Sequence, residues 1–114
     1  MNAEIKALWI ADLRSGKHKQ TTGLLQSRRG FCCLGRLCEL AVEAGVIPKP
    51  VSNGPWEEYD GEGSVLPNSV MKWAELETAT AHYGVGHPNK SRLSEDNDKG
   101  KTFAEIADII EREF

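Results

Sequence analysis

Apolar residues recur at helical spacing in four separate stretches of the chain. The first two cover residues 3–14 and 33–44, and the second is apolar around most of its circumference. The third begins at Pro67-Asn68, and the fourth begins at Thr102, where Thr102-Phe103-Ala104-Glu105 has the form of a capping box. The pattern therefore predicts four helices, with the second at the centre of the domain. The positions expected to face the core are Ile5, Leu8, Trp9 and Leu13, then Leu66, Val70, Trp73 and Ala74, and finally Phe103, Ile106, Ala107, Ile110 and Phe114.

Two short β-hairpins are predicted between these helices. The first pairs Thr21–Gln26 with Phe31-Cys32 across a turn at residues 27–30. The second pairs Trp56–Tyr59 with Val65-Leu66 across a turn that is rich in glycine and acidic residues.

The rest of the chain carries no clear helical or strand period. Residues 46–64 and 78–101 are therefore expected to be irregular loops. The length of 114 residues fits a single domain, residues 1–114. The predicted fold class is α+β, with about four helices packed around one or two short antiparallel hairpins.

Composition is typical of an ordinary globular protein. Apolar residues make up 39% of the chain and charged residues 27%. No apolar run approaches the ~20 residues that span a bilayer, and the first residues lack the apolar core of a secretory signal. We therefore expect a cytoplasmic protein without a membrane partner.

Charge is spread unevenly along the chain. The formal net charge is −3, yet the window from Leu13 to Cys38 holds six cations and no acid, which leaves −9 on the other residues. Such asymmetry indicates an anionic ligand or partner, and the alternative is a solvated basic loop. The six cations are Arg14, Lys17, Lys19, Arg28, Arg29 and Arg36.

These six cations are the candidate ligand-binding residues. Arg36 lies within one turn of the start of the second predicted helix, where free N–H groups and Gly35 would let a phosphate or carboxylate approach. Trp56 and Tyr59 are expected in a loop, either stacked on a base or packed over the sheet. The negative net charge argues against an extended nucleic acid, so a small anionic, nucleotide-like ligand or an acidic protein patch is predicted.

All three cysteines lie between Gly30 and Cys38, and free thiols are expected. The helix dipole and the nearby arginines would lower the pKa of Cys32 or Cys33. With His82 or His87 as the base, and Asn89 to orient it, either thiol would serve a cysteine-dependent hydrolase or transferase. The alternative is that the cysteines are small core residues.

Metal binding is not predicted, and no cofactor is expected. The chain has no Cys-x-x-Cys pair, and Cys33 and Cys38 point to different faces of a helix. The stretch Asp96–Gly100 is out of register for a calcium loop, so we expect it to form a turn before the last helix.

One ordered combination of short motifs covers most of the chain. Its elements are Trp9 with Leu13-Arg14-Ser15-Gly16 and Gln20, Gly30-Phe31-Cys32-Cys33-Leu34-Gly35 with Leu37-Cys38, Leu66-Pro67 with Val70 and Trp73-Ala74, and Asn97-Asp98, Gly100, Thr102-Phe103 and Glu105-Ile106-Ala107. In this combination the chain resembles a family of small accessory proteins encoded by tailed phages and prophages. The resemblance implies a phage origin and the cytosol of a bacterial host, and it transfers no catalytic residue. Accessory proteins of this kind often bind and neutralise components of host defence.

The preferred hypothesis from the sequence is binding rather than catalysis. We expect a phage counter-defence protein that sequesters a nucleotide-like signal or blocks a host defence protein. The first alternative is the cysteine-dependent enzyme. The second is a structural or regulatory phage protein that acts through contacts within a homo-oligomer.

Overall fold

Within residues 1–84 and 91–114, which the computed structural model describes, five helices and six short strands follow one another. They are α1 (Ala3–Arg14), β1 (Gln26–Ser27), β2 (Gly30–Phe31), α2 (Cys33–Glu43), β3 (Val51–Asn53), β4 (Trp56–Glu58), α3 (Asn68–Ala74), β5 (His82–Tyr83), β6 (Ser91–Arg92), α4 (Leu93–Asp98) and α5 (Phe103–Glu113). The first four strands form an antiparallel sheet in the order β2-β1-β4-β3, and β5 pairs with β6. The predicted α+β class is confirmed.

Helices α1 and α5 begin where local sequence signals place them. The side chain of Asn2 caps α1 by accepting a hydrogen bond from the N–H of Ile5 at 3.0 Å. At the start of α5, Thr102 Oγ1 accepts from the N–H of Glu105 at 3.1 Å, and Glu105 Oε1 accepts from the N–H of Thr102 at 3.0 Å. The predicted capping box is confirmed. None of the described helices is long and apolar enough to cross a bilayer.

Helix α2 occupies the centre of the fold, as predicted. It contacts α1, α3, α4 and β2, and every residue from Cys32 to Cys38 is buried. The indole of Trp9, on α1, donates a hydrogen bond from Nε1 to the carbonyl of Cys33 at 2.9 Å. Leu8, in contrast, was expected in the core and is 54% exposed, because Ile5, Trp9 and Leu13 fill the buried face of α1.

The first hairpin is confirmed in a shorter form. Gln26 pairs with Phe31 and Ser27 with Gly30, so Arg28 and Arg29 form the turn. The segment before the hairpin lies on the other side of β2, where Lys19 accepts from the N–H of Phe31 at 2.9 Å. This crossing requires glycine at position 30, since a Cβ there would lie 2.2 Å from the carbonyl oxygen of Lys19.

The predicted second hairpin is wrong in its second strand: the chain reverses at Asp60-Gly61, where Tyr59 pairs with Glu62, but Val65-Leu66 forms no strand. Strand β4 pairs with β3 and β1, and the turn between β3 and β4 consists of Gly54 and Pro55. Residues 46–64 therefore contain two strands and are not an irregular loop. The three residues of β3 are all exposed, so the strand shows no alternation of apolar and polar positions that the sequence would reveal.

The region 78–101 is also more regular than predicted, since β5, β6 and α4 lie in it. Leu93 and Asn97 are the two buried residues of α4, and a six-residue helix with a single apolar anchor carries little periodic signal. The expected turn at Asp96–Gly100 is displaced, because Asp96, Asn97 and Asp98 complete the helix. Gly100 follows it with a positive φ of 101°.

Candidate functional site

The start of α2 was expected to bind an anion, and the structure shows that the protein itself fills it. The Sγ of Cys32 accepts from the N–H of Gly35 at 3.4 Å, and the side chain of Asn97 accepts from the N–H of Cys33 at 3.1 Å. The close approach at Gly35 comes from the carbonyl of Leu25, which would lie 1.8 Å from an added Cβ. No space remains at this helix start for a phosphate or carboxylate.

The three thiols are protonated residues of the core. Burial raises the pKa of Cys32 to about 11, and the N–H of Gly35 lowers it only in part. Burial also raises the pKa of Cys33 and of Cys38 well above the ordinary value. The expected lowering by the helix dipole and the arginines is therefore wrong, because the loss of water around the sulfur is the largest effect on each of the three thiols.

A base for these thiols is not found in the described part of the chain. His82 lies in β5, where its N–H donates to Thr78 Oγ1 at 2.8 Å. No hydrogen bond joins His82 to a cysteine among the residues that are described. His87 and Asn89, the other two candidates, lie outside the described residues.

Alkylation is expected to be slow in the native protein. Since the pKa of Cys32 is about 11, only about one thiol in a thousand is ionised at pH 8, which should slow the reaction with iodoacetamide by more than ~100-fold relative to free cysteine. The same three thiols should react rapidly in 6 M urea (about the concentration that unfolds small domains), and mass spectrometry over time would measure both rates. Rapid modification of native protein at pH 6 would instead favour the cysteine enzyme.

Arg36 is committed to an internal ion pair. It is 4% exposed, and its Nε and Nη2 atoms donate to the two carboxylate oxygens of Asp12, both at 2.8 Å. The guanidinium also lies over the ring of Phe31, 4.5 Å from the centroid. Removing one partner of a buried pair like this costs about 3–5 kcal/mol. Arg36 therefore joins α2 to α1 and is not presented to a ligand.

Arg14 is also paired, although it lies at the surface. Its guanidinium contacts Asp108 at 2.8 Å and Glu111 at 3.0 Å, both on α5. The hydrogen bonds to these two carboxylates raise the pKa of Arg14 further above its ordinary value. The pair links the end of α1 to α5, and it compensates the positive charge of this arginine.

The two aromatic candidates do not line the groove described below, although Trp56 pairs with Ser27 in the sheet. Tyr59 is fully buried, and its hydroxyl donates to Gln26 Oε1 at 2.7 Å, so neither face of the ring is open for stacking. Trp56 is half-buried, and its Nε1 donates to the carboxylate of Glu58 at 3.2 Å. An acidic neighbour makes Trp56 a poor contact for an anion.

Arg28 and Arg29 are brought together at an open groove of about 360 Å³. Both arginines are exposed, and neither forms an ion pair with another residue in the described ranges. The residues that line the groove are Thr21, Thr22, Leu24, Ser27, Arg28, Arg29 and Pro55. This lining contains no carboxylate, so no side chain of the groove itself neutralises the two guanidinium groups. Lys17 and Lys19 are exposed as well but lie outside the lining.

One wall of the groove is held in place by Asn97, a residue that sequence reasoning did not single out as functional. Asn97 is 1% exposed. Its Oδ1 accepts from Gln20 Nε2 at 2.9 Å and from the N–H of Cys33, and its Nδ2 donates to the carbonyl of Thr21 at 2.8 Å. A single side chain thus connects the groove wall to the start of α2.

Gln20 and Asp98 complete this support. Gln20 Nε2 also donates to the carbonyl of Lys101 at 2.8 Å, and Gln20 Oε1 accepts from the N–H of Phe103 at 3.1 Å. Asp98 Oδ1 accepts from the N–H of Gly23 at 2.9 Å. Gln20 and Asn97-Asp98 belong to the motif combination described in the sequence analysis. Their place in that combination was the sequence signal that could have identified them. Their partners are internal, so in these positions the motif specifies the fold.

A second cavity, of about 260 Å³, has the opposite charge. Its lining includes Glu75, Glu77 and Glu113 together with His82 and Tyr83. Three carboxylates oppose the binding of an anion. No group of three or more His, Cys, Asp or Glu side chains in the described ranges is arranged to hold a metal ion. The groove at Arg28 and Arg29 is therefore the site that best fits an anionic ligand.

Comparison with known proteins gives a family but no activity. A family model described as a domain of unknown function (DUF8296) matches residues 1–114. No curated protein and no solved structure matches the chain. Function must therefore be argued from the groove itself.

Proposed function

We propose that the chain, which belongs over residues 1–114 to the family described as a domain of unknown function, DUF8296, binds a small anionic, nucleotide-like ligand. The proposal rests on the groove alone, because the family description names no activity. The observation that carries the proposal is the pair of arginines at the turn between β1 and β2, both exposed and without a carboxylate in the groove lining. Binding without chemical conversion is the activity we assign to it.

The contrast with the other arginines supports this choice. Arg14 and Arg36 are each matched by carboxylates of the same chain. Arg28 and Arg29 follow one another in a two-residue turn and both line the groove, so two planar, fork-shaped donors are available there. Guanidinium groups form bidentate hydrogen bonds with phosphate, so the turn offers charge and geometry for a phosphoryl group.

The remaining lining suits the non-phosphate part of such a ligand. A volume of about 360 Å³ lies in the range of small-molecule sites, which is roughly 300–1,000 Å³. Leu24 and Pro55 supply apolar surface, and Thr21 and Thr22 supply hydroxyl groups for a sugar. The carbonyl of Thr21 is fixed by Asn97, so part of this wall is ordered before a ligand arrives, which reduces the entropic cost of binding.

In a biological setting, we propose that the protein is phage-encoded and acts in the cytosol of a bacterial host by sequestering a nucleotide-like signal. The resemblance to small phage accessory proteins supports this setting. Sequestration needs only a binding groove and no catalytic group, which agrees with the protonated state of the three cysteines.

Isothermal titration calorimetry against adenosine monophosphate, cyclic adenosine monophosphate and ADP-ribose tests the proposal. Arg28→Ala and Arg29→Ala should each weaken binding by about 10- to 100-fold, since a hydrogen bond to a charged group contributes about 1.5–3 kcal/mol. The matched control is Lys17→Ala, which removes an equally exposed positive charge outside the groove and should change the affinity by less than about twofold.

Two results would contradict the proposal. The first is that none of the three nucleotides binds. The second is that Lys17→Ala weakens binding as much as Arg28→Ala, because the net charge rather than the groove would then be responsible. Native mass spectrometry that finds a host protein bound, with no nucleotide, would point to blocking of a protein partner instead.

A further inference from the structure

We infer that the ligand carries a terminal phosphomonoester and that the groove discriminates against phosphodiesters. This inference rests on the proposed function, because it concerns the same groove. It adds a chemical class of ligand and a reason for selectivity.

The charge balance of the groove favours a phosphomonoester. The lining presents two positively charged guanidinium groups and no carboxylate. A phosphomonoester carries about −1.5 to −2 at pH 7 because its second pKa is near 6, whereas a phosphodiester carries a single negative charge. Two uncompensated positive charges therefore match a monoester and exceed what a diester can neutralise.

The hydrogen-bond donors of the groove also favour a phosphomonoester. Ser27 Oγ accepts a hydrogen bond from the N–H of Arg29 at 3.2 Å, so its own hydroxyl proton is free to donate toward the groove. Two guanidinium forks and this hydroxyl supply donors for three oxygens. A phosphomonoester has three terminal oxygens, whereas a phosphodiester has only two that are not bridging.

A pH dependence of binding can arise from titratable groups of the protein as well as from the phosphate of the ligand. The seven lining residues include no histidine and no acid. The charged groups on neighbouring parts of the chain are Lys17, His18 and Lys19, which precede the groove wall, Asp98, which holds Gly23, and Glu57 and Glu58 on β4, the strand that pairs with β1. His18 packs edge-on against the ring of Phe31, 5.9 Å between centroids, and lies 3.8 Å from the carboxylate of Asp12.

The experiment compares adenosine monophosphate with cyclic adenosine monophosphate by calorimetry between pH 5 and pH 7.5. The monoester should bind about tenfold more tightly at pH 7.5, since a second charge strengthens each hydrogen bond. Its affinity should fall as the pH drops through the second phosphate pKa, near 6. The cyclic diester should bind equally at all pH values, which controls for titration of the protein. His18→Gln should leave the difference unchanged.

The outcomes separate this inference from the proposed function. Equal or tighter binding of the cyclic diester would overturn the monoester inference and leave the anion groove standing. A preference for the monoester that does not depend on pH would also overturn it, because the selectivity would then not arise from charge. Binding of ADP-ribose alone would also overturn the monoester inference, whereas failure of all three nucleotides to bind would remove the proposed function itself.

Discussion

Replacement of Gly35 by alanine is expected to destabilise the protein by more than about 3 kcal/mol, beyond the usual 1–3 kcal/mol for an extra methylene group in a packed core. The added Cβ would lie 1.8 Å from the carbonyl oxygen of Leu25 and 2.6 Å from its carbonyl carbon. Both atoms are backbone, so neither can rotate away. Relief would require α2 to separate from the segment that leads into β1, and this contact lies at the centre of the core.

The expected sign is opposite to that of helix propensity. Glycine in the interior of a helix is about 1 kcal/mol less favourable than alanine, so local reasoning predicts that the substitution stabilises α2. Urea denaturation of both proteins decides between the two effects. Equal or greater stability of the alanine variant would refute the packing argument.

A matched control is available at Gly45, which follows α2. Nothing lies within 4 Å of a Cβ at this position, although its φ is 76°. Gly45→Ala should therefore cost only about 1–2 kcal/mol, the backbone strain of a left-handed residue with a side chain. If Gly35→Ala does not accumulate in soluble form while Gly45→Ala does, pulse proteolysis of the refolded material measures the remaining difference in stability.

Replacement of Asn97 by alanine is the second change with a large expected effect, about 3–5 kcal/mol, because each buried polar group left without a partner costs about 1–3 kcal/mol. The N–H of Cys33 and the carbonyl of Thr21 would both lose their hydrogen bonds to this side chain. Gln20 would lose one contact but would keep its bonds to Lys101 and Phe103. Urea denaturation again measures the loss.

Asn97→Asp tests which atom of the amide is needed. The substituted carboxyl keeps the acceptors for Gln20 and Cys33, but when ionised it buries a charge and lacks the donor for Thr21. Burial should raise the pKa of that carboxyl, and in its protonated form it can donate to Thr21. The deficit in stability relative to the natural protein should therefore shrink as the pH falls. A deficit that stays constant with pH would contradict the assigned hydrogen bonds.

The control for both Asn97 variants is Asn53→Ala. Asn53 is exposed in β3 and makes one side-chain hydrogen bond, to Glu58 at 2.9 Å. Surface substitutions of this kind change stability by about 0.5 kcal/mol or less. A similar loss at both positions would show that asparagine removal is costly in general, and that burial at Asn97 is not the reason.

Gly35 and Asn97 both contribute to the close packing around the start of α2. Leu25 approaches Gly35 from one side, and the amide of Asn97 meets the N–H of Cys33. The motif residues Gly30, Gln20 and Asp98 also have their contacts within the chain. Most of the motif combination is thus accounted for by folding, and the free arginines of the groove lie outside it.

Local sequence signals were sufficient to predict α1, α2, α5 and the first hairpin. Helical spacing and caps act within a few residues, so Asn2 and the capping box at Thr102 can be identified from the sequence alone. The basic segment could also be located by counting charges. Helix α4 was missed because it is only six residues long and mostly polar. Strand β3 was missed because all three of its residues are exposed.

The order of residues determines where the helices begin, which segment is basic and that three thiols lie at the start of an apolar helix. Only the tertiary structure decides which charges remain free. Asp12 lies 24 positions before Arg36, and Asp108 lies 94 positions after Arg14, yet both pairs form. Because ion pairs and burial depend on distance in space and not along the chain, folding withdraws Arg14, Arg36, Tyr59 and the cysteines from the candidate site, and leaves Arg28 and Arg29 facing solvent without a counter-charge in the groove.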